Sequence, residues 1–496
     1  MKNRNIKKYT IILLLATFVF NGCRKDDVPP PPVEIKQATD VNKFIFNGLR
    51  DYYLWYSQIP SLTSTKYNNT DSLNVFLNKY TDPQVLFTSL LYKYKVVDKW
   101  SFLVDNSKTI DDWISGISET MGYDFMLSRI GTSDNLFGFV RYVYKGSPAE
   151  KAGLKRGDIF LSVNDQQLTV SNYQNLLFST LTYKLGFATI TNNTISAISK
   201  TMSMTAVTMQ EDPISKDTIF TFNNQKIGYL VYNGFNADFD IQLNEVFRKF
   251  KSANIDRLIL DLRYNGGGSV TSSIYLASMI YSTDKNKVFA RSQYNTAFEK
   301  ALIDYYGSDY VVDYFENTIE KTEKNAATPI VSLNLQKIHI IVSDNSASAS
   351  ELLINGLRPH MKVTVVGTNT SGKYTGSTTI KDWDDDGKVN PSHKYAMQPI
   401  VVKYTNSVGV SDYVDGLTPD IVAKEDIANL LPFGDPNEKL LKVVLDDIKG
   451  LPITAQTLKS ASIGLSKVAE SRDFKPFKDE MYIKPINFKN LKKKAE

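Results

Sequence analysis

The chain has 496 residues, 42% of them hydrophobic and 22% charged, which is ordinary for a globular protein and leaves room for about three domains. Its formal charge is +5, and Lys2, Arg4, Lys7 and Lys8 carry most of it, so the clustered basic surface of a nucleic-acid binder is absent from the pattern. The single cysteine, Cys23, excludes an intrachain disulfide and a thiolate metal cluster.

Residues 2 to 8 are basic, and an apolar run of 12 residues follows, from Tyr9 to Phe20. This reads as a signal peptide over residues 1–22, and the run is too short to cross a membrane. Asn21-Gly22-Cys23 resembles a bacterial lipobox, with Phe20 where leucine is usual. The resemblance implies cleavage before Cys23 and a lipid anchor on its sulfur. Arg24-Lys25-Asp26-Asp27 resembles the export signal of surface lipoproteins in Bacteroidetes-type bacteria. An outer-membrane lipoprotein of the cell envelope is therefore expected, either periplasm-facing or surface-exposed. Pro29 to Pro32 make residues 23–36 a stiff tether.

Residues 37–115 carry apolar and aromatic side chains at helical spacing, as in VNKFIFNGLRDYYLWYSQI, and are read as a small helical domain. The aromatic stripe is assigned to packing. Over residues 116–210 the pattern changes. The string KGSPAEKAGLKRGDIFLSVNDQQL, Lys145 to Leu168, has Pro148 opening a short helix, turns at Gly153 and Gly157, a strand from Ile159 to Val163, and a tight turn at Asn164-Asp165. It resembles the PDZ domains of bacterial proteases. That implies binding of a peptide as an added strand, with capture of its terminal carboxylate. The candidate loop for this is at Gly122, Tyr123 and Phe125, with Leu136-Phe137-Gly138-Phe139 as the rival.

Residues 211–450 alternate strand-like and helix-like segments. DRLILDLR is nearly continuous in apolar residues and reads as a buried strand. It runs into Tyr264-Asn265-Gly266-Gly267-Gly268. Glycines after a buried strand permit positive φ and close backbone approach, and no GK[ST] follows to make a phosphate loop. The strand Ile338 to Val342 leads to Ser346-Ala347-Ser348-Ala349-Ser350-Glu351, at the start of a helix. A hydroxyl there sits where helix N–H groups are free. Of the three histidines, His339 lies inside the strand, and neither His360 nor His393 has an evident orienting carboxylate. Lys373, between Gly372 and Tyr374, could act as base if burial lowers its pKa. Spacing does not choose among the three serines, and Ser348-x-x-Glu351 also fits a capping box.

Together SASASELL, the later SGKYTG and DLRYNGGG resemble the C-terminal processing peptidases. The resemblance spans roughly residues 120–425. It implies Ser348 as nucleophile, Lys373 as general base, and an oxyanion hole from the N–H of Ala349 and of Gly267, or else Gly268. No metal or cofactor is implied. Two positions depart from the family. Where many members carry a glutamine that orients the lysine, this chain has Ser377, and where some have an aspartate it has Pro359. The expected fold class is multidomain α/β (α+β), with an N-terminal helical domain, a β-rich PDZ-like domain and an α/β serine peptidase core. The expected activity is endopeptidase action on protein or peptide substrates. A second reading keeps the PDZ groove without the chemistry, as a surface protein binding peptides or glycans. DWDDDG, residues 382–387, matches the start of a calcium loop, but His393 stands where a glutamate ligand belongs, and a solvated acidic turn is expected. Residues 451–496 turn basic and are read as a loosely packed tail.

Overall fold

The computed structural model describes residues 35–384, 387–453, 466–475 and 477–486. The signal peptide, Cys23 and the proline tether lie outside these residues.

The first helix, α1 (Asp40–Tyr52), starts at Thr39, whose hydroxyl accepts the Asn42 N–H, and it buries Phe44, Ile45, Phe46 and Leu49. It is followed by α2 (Thr70–Leu77) and α3 (Pro83–Ser89). Their apolar side chains join one continuous core with the central sheet. Gly48 lies against Met397, where an added Cβ would meet the methionine Cε at 2.0 Å. Residues 102–104 pair with residues 396–398, which ties the end of this region to the core.

The PDZ-like domain hangs on a two-stranded stalk, β1 (Ile117–Thr120) paired with β7 (Val207–Gln210). Between them lie β2 (Tyr123–Arg129), β3 (Leu136–Val143), β4 (Ile159–Val163), α4 (Tyr173–Phe178), β5 (Thr182–Thr191) and β6 (Thr194–Thr205). The turn chemistry read from the sequence is present. Pro148 opens its helix, Gly153 ends it in the left-handed region, and Asn164 and Asp165 have φ of 51° and 63°. The domain has its own apolar core around Phe125, Phe160 and Leu185.

The catalytic-size unit behind it contains two sheets. The first has the order β8 (Ile214–Phe222), β9 (Gln225–Tyr232), β10 (Arg257–Asp261), β14 (Lys337–Val342), β15 (Lys362–Gly367), β18 (Ile421–Val422). From β9 onward its neighbours are parallel, as expected for strands joined through helices: α5 (Asp240–Ser252), α6 (Val270–Ile280) and α7 (Ala349–Leu357). A further helix, α8 (Lys439–Ile448), packs its Leu440, Leu441, Val443 and Val444 on the other side. The second sheet has the order β11 (Gly268–Ser269), β20 (Met481–Ile483), β16 (Thr375–Thr378), β17 (Ile400–Asn406), β12 (Val288–Tyr294), β13 (Val312–Tyr314).

The C-terminal segment corrects the expectation of a loose tail. Residues Lys467–Glu470 form β19, which adds to the PDZ-like sheet antiparallel to β2. After it, β20 inserts between β11 and β16 of the second sheet. Basic composition hid this, because Ala469, Met481 and Ile486 are buried among the lysines. At the acidic loop, Asp382 accepts from Asn390 and lies 3.3 Å from His393, and residues 385–386 lie outside the described structure. Among the described residues no group of three His, Cys, Asp or Glu side chains could hold a metal ion.

A buried ionic joint ties the PDZ-like domain to the core. Arg263, fully buried, pairs with Asp261, Glu425 and Glu438, and Arg156 reaches over from the PDZ-like domain to Glu425 and the Tyr264 hydroxyl. Removing one partner of such a cluster leaves uncompensated buried charge. Arg263→Ala is therefore expected to lower stability by about 3–5 kcal/mol, read as a shift in the urea unfolding midpoint.

Candidate active site

Two strand-to-loop exits of the parallel sheet bring the site together. From β14 the chain turns through residues 343–348 into α7. From β15 it loops through residues 368–374 into β16.

The structure separates the three alternating serines. Ser346 donates its hydroxyl to the Leu262 carbonyl at 2.7 Å, and Ser350 donates to the Asn265 carbonyl at 3.0 Å. Both are used to hold the serine turn against the glycine turn. The Ser348 Oγ is buried and has no hydrogen-bond partner among the described residues. Ser348 has φ of 66° and ψ of −114°, a strained region for a residue with a Cβ. An unpartnered hydroxyl on a strained strand-to-helix turn is the stereochemistry of an exposed-elbow nucleophile. Here it is fully buried.

Glu351 is more than a cap. Its Oε2 accepts the N–H of Ser348 and the N–H of Lys373, each at 2.8 Å. Its Oε1 accepts the Gly372 N–H at 2.7 Å and the Thr370 hydroxyl at 2.5 Å. One carboxylate therefore fixes the serine turn to the lysine loop. Burial raises the Glu351 carboxyl to about 7, against the pull of these four donors. The Ser371 N–H to the Ser346 carbonyl, 3.0 Å, adds a further stitch. Gly372 has φ of +92°, and a Cβ there would meet the Val414 carbonyl oxygen at 2.3 Å, so only glycine lets the loop turn here.

Lys373 is fully buried. Desolvation lowers its pKa, and Glu480, with Oε1 2.9 Å from Nζ, acts in the opposite sense. The Glu480 carboxyl is raised to about 7, by burial first, while Lys373 lowers it. Trp100 covers the ammonium, with Nζ 5.0 Å from the ring centroid. Ser377 makes no hydrogen bond to Lys373 among the described residues. Its hydroxyl lies 2.9 Å from Glu480 Oε2, and Gln398 donates to it at 3.0 Å. Ser377 thus acts on the lysine only through Glu480. Neither Glu480 nor Trp100 was singled out from the sequence, because each is more than 100 residues from Lys373 and no local pattern marks them.

The glycine turn lies against the serine. A Cβ on Gly267, whose φ is +111°, would come within 2.6 Å of the Ser348 Cβ and 3.1 Å of the Ala349 nitrogen. The Gly267 N–H donates to Asn265 Oδ1 at 2.9 Å, so in this state it is already partnered. Gly268 packs on Phe235, where a Cβ would meet the carbonyl oxygen at 2.2 Å. The histidines are elsewhere: His339 faces Asp447, His360 the Val288 carbonyl, and His393 Asp382.

In the PDZ-like domain, Gly122 has φ of +81° and leads into β2, as a carboxylate loop would. Tyr123 is buried, its hydroxyl 2.6 Å from that of Tyr183, and Phe125 sits in the domain core. The rival loop is excluded, since Leu136 to Phe139 run inside β3 with Gly138 opposite Phe160.

The structure therefore holds a buried Ser348 of strained backbone and a buried Lys373 on one carboxylate, with all three histidines elsewhere. The comparisons with known proteins give its family. Residues 40–102 match the Peptidase S41 N-terminal domain, 139–179 a PDZ domain, and 226–423 Peptidase family S41. The chain belongs to peptidase family S41 and is a serine peptidase of the C-terminal processing class with a PDZ domain. It is 23% identical over 427 residues to a CtpA-like serine protease of Staphylococcus aureus, covering 82% of this chain and 74% of that one. It is 25% identical over 291 residues to the chloroplastic C-terminal processing peptidase of Tetradesmus obliquus, covering 56% of this chain and 54% of that one. Its fold is similar to the crystal structure of an S41 protease of Bacteroides fragilis, with a TM-score of 0.64 and 25% identity, over 82% of this chain and 97% of that one.

Glu351→Gln is a sharp test of the carboxylate hub. The amide replaces one acceptor oxygen by a donor, which strands two of the four donors. Stability is expected to fall by about 2–4 kcal/mol, read by urea unfolding. Peptidase activity should fall with it, because the serine turn and the lysine loop lose their common anchor.

Proposed function

We propose that Ser348 and Lys373 form the catalytic dyad of an endopeptidase that acts on protein or peptide chains. The observation that carries this is the shared acceptor: one oxygen of Glu351 takes the backbone N–H of both residues, which ties the serine turn to the lysine loop. Two further features support it. The Ser348 hydroxyl alone among the cluster is unpartnered, and burial lowers the Lys373 pKa toward the neutral form.

In the reaction, neutral Lys373 accepts the Ser348 hydroxyl proton as Oγ bonds to the peptide carbonyl carbon. The carbonyl electron pair moves to oxygen. The Ala349 N–H, in the first turn of α7, and a glycine-turn N–H receive that oxyanion; for Gly267 this requires Asn265 Oδ1 to turn away, with Gly268 as the alternative donor. The C–N bond then breaks and Lys373 returns its proton to the leaving amine. Water attacks the acyl-enzyme with the same lysine as base, which regenerates Ser348. The chain needs no metal for any of these steps. Gly122, Tyr123 and Phe125 border the edge of β2 at which a substrate C-terminus would be received.

For location, the reading is a lipoprotein of the cell envelope, anchored to the outer membrane through Cys23. Its support is the basic and apolar start, the Asn21-Gly22-Cys23 sequence and the proline tether. Incorporation of labelled palmitate, lost in Cys23→Ala, would establish the anchor; no incorporation would remove it.

Cleavage of an unstructured protein with an apolar C-terminus should fall about a thousandfold or more in Ser348→Ala and in Lys373→Ala, with folding retained. The rate should rise with pH, since only neutral lysine accepts the proton. Its midpoint should lie below the ordinary lysine value of 10.5. A rate independent of pH between about 6 and 10 would contradict a lysine base. Failure of the parent protein to cleave any of several such substrates would favour a binding protein.

A further inference from the structure

The C-terminal segment touches both ends of the path a substrate would take. At the PDZ-like domain, β19 pairs antiparallel with β2, Glu470 opposite Met126 and Ala469 opposite Leu127. This is the edge at which such a domain adds a peptide strand, and the segment runs toward the Gly122 loop, as a ligand would. The other wall of the groove is α4. Ala469 packs into the domain core with Leu176 and Leu177, and Phe474 stacks on Phe178 at 3.6 Å. At the loop end, the Phe125 N–H donates to Ser471 Oγ at 3.2 Å, and the Glu470 carboxylate accepts from Arg141 at 2.6 Å. A backbone donor and a buried arginine, the groups that suit a terminal carboxylate, are thus engaged by the chain itself.

At the active site the same segment lies against the glycine turn. A Cβ on Gly267 would meet the Glu480 carbonyl oxygen at 2.9 Å, and one on Gly266 would meet Asp479 Oδ1 at 3.0 Å. Glu480 Oε1 stands 2.9 Å from Lys373 Nζ. With the proton on lysine, no lone pair is available to Ser348. With the proton on Glu480, the lysine lone pair accepts from that carboxyl. Lys373 thus stands within ion-pair distance of Glu480 and makes no hydrogen bond to Ser348 among the described residues. Ser348 and Lys373 are both fully closed to solvent in this arrangement.

We propose that the C-terminal segment is a built-in occupant of the substrate path: β19 fills the peptide groove of the PDZ-like domain while Glu480 holds Lys373, and an incoming polypeptide C-terminus that displaces β19 also withdraws Glu480. This rests on the dyad reading above and adds its control. The device follows from continuity of chain. Only ten residue positions separate Glu470 from Glu480, so loss of one contact strains the other. A tethered strand competes at an effective concentration of about millimolar. A free peptide therefore binds weakly until the tether is loosened.

The test uses the whole protein and a synthetic peptide of extended apolar sequence with a free terminal carboxylate, beside its amidated form. Hydrogen exchange is followed at residues 467–470 and 479–483. The free-acid peptide is expected to remove protection at both stretches together and to raise the cleavage rate several-fold. The amidated peptide should do neither. Phe474→Ala, which removes the stack on Phe178, should cleave faster than the parent without peptide and bind the peptide more tightly. Glu480→Gln removes the strongest acidic influence on Lys373 and leaves Asp479 and Asp98 acting in the same sense. Its cleavage profile should move to lower pH. Unchanged protection at millimolar peptide, release of 467–470 with 479–483 still protected, or a Phe474→Ala rate at or below the parent's would each overturn the proposal. The exchange measurement needs no catalysis, so a protein that fails to cleave but still releases both stretches would refute the dyad and not the displacement.

Discussion

The site depends on one buried carboxylate. Glu351 gathers the Ser348, Gly372 and Lys373 N–H groups and the Thr370 hydroxyl on its two oxygens. Each is a donor that would be orphaned without it, because the serine turn and the lysine loop both end parallel strands and have no ladder partner there. Hydrogen bonds to a charged acceptor are worth about 1.5–3 kcal/mol each. Four of them oppose the cost of burying the carboxylate, and burial still raises the carboxyl to about 7. The strain at Ser348 is held by the same bonds. A backbone in that region persists only where its surroundings over-determine it, and here Glu351 on one side and the Ser346 and Ser350 hydroxyls on the other do so.

Around that hub, the molecule keeps its reactive groups out of water. Lys373 is desolvated under Trp100, and among the described residues its one charged neighbour within ion-pair distance comes from the C-terminal segment. The joint between the PDZ-like domain and the core reaches the same region. Arg156 and Arg141 stack on Tyr264, which directly precedes Asn265, and the Asn265 Oδ1 holds the Gly267 N–H. The peptide-binding domain and the glycine turn are therefore linked by packed side chains as well as by the C-terminal segment.

Much of this was legible in the sequence, for local reasons. The turn at Asn164-Asp165, the helix between Pro148 and Gly153, the buried strand before the glycine turn and the serine at a helix start are all set by neighbours within a few residues. The family resemblance rested on such local strings, and the matched regions agree with it. What was not legible depends on distance. Spacing could not tell Ser348 from Ser346 and Ser350; in the fold Leu262 and Asn265 take the other two hydroxyls. Glu351 looked like a simple cap because the Lys373 loop it anchors lies 22 positions on. Ser377 stands where the resembled family carries a lysine-orienting glutamine, yet it faces Glu480, whose segment was set aside as a basic tail. On β19 Lys467 is exposed while Ala469 and Glu470 are buried, and on β20 Met481 is buried, and patterns this short are masked by the charge around them.

The most direct test of the central claim is to map a fluorophosphonate adduct by mass spectrometry in the parent protein and in Lys373→Met. The account predicts modification of Ser348, with Ser346 and Ser350 untouched because their hydroxyls are already bonded, and a rate at least a hundredfold lower in Lys373→Met, of the order lost with a general base. Modification of Ser346 or Ser350 instead, or equal rates in the two proteins, would contradict it.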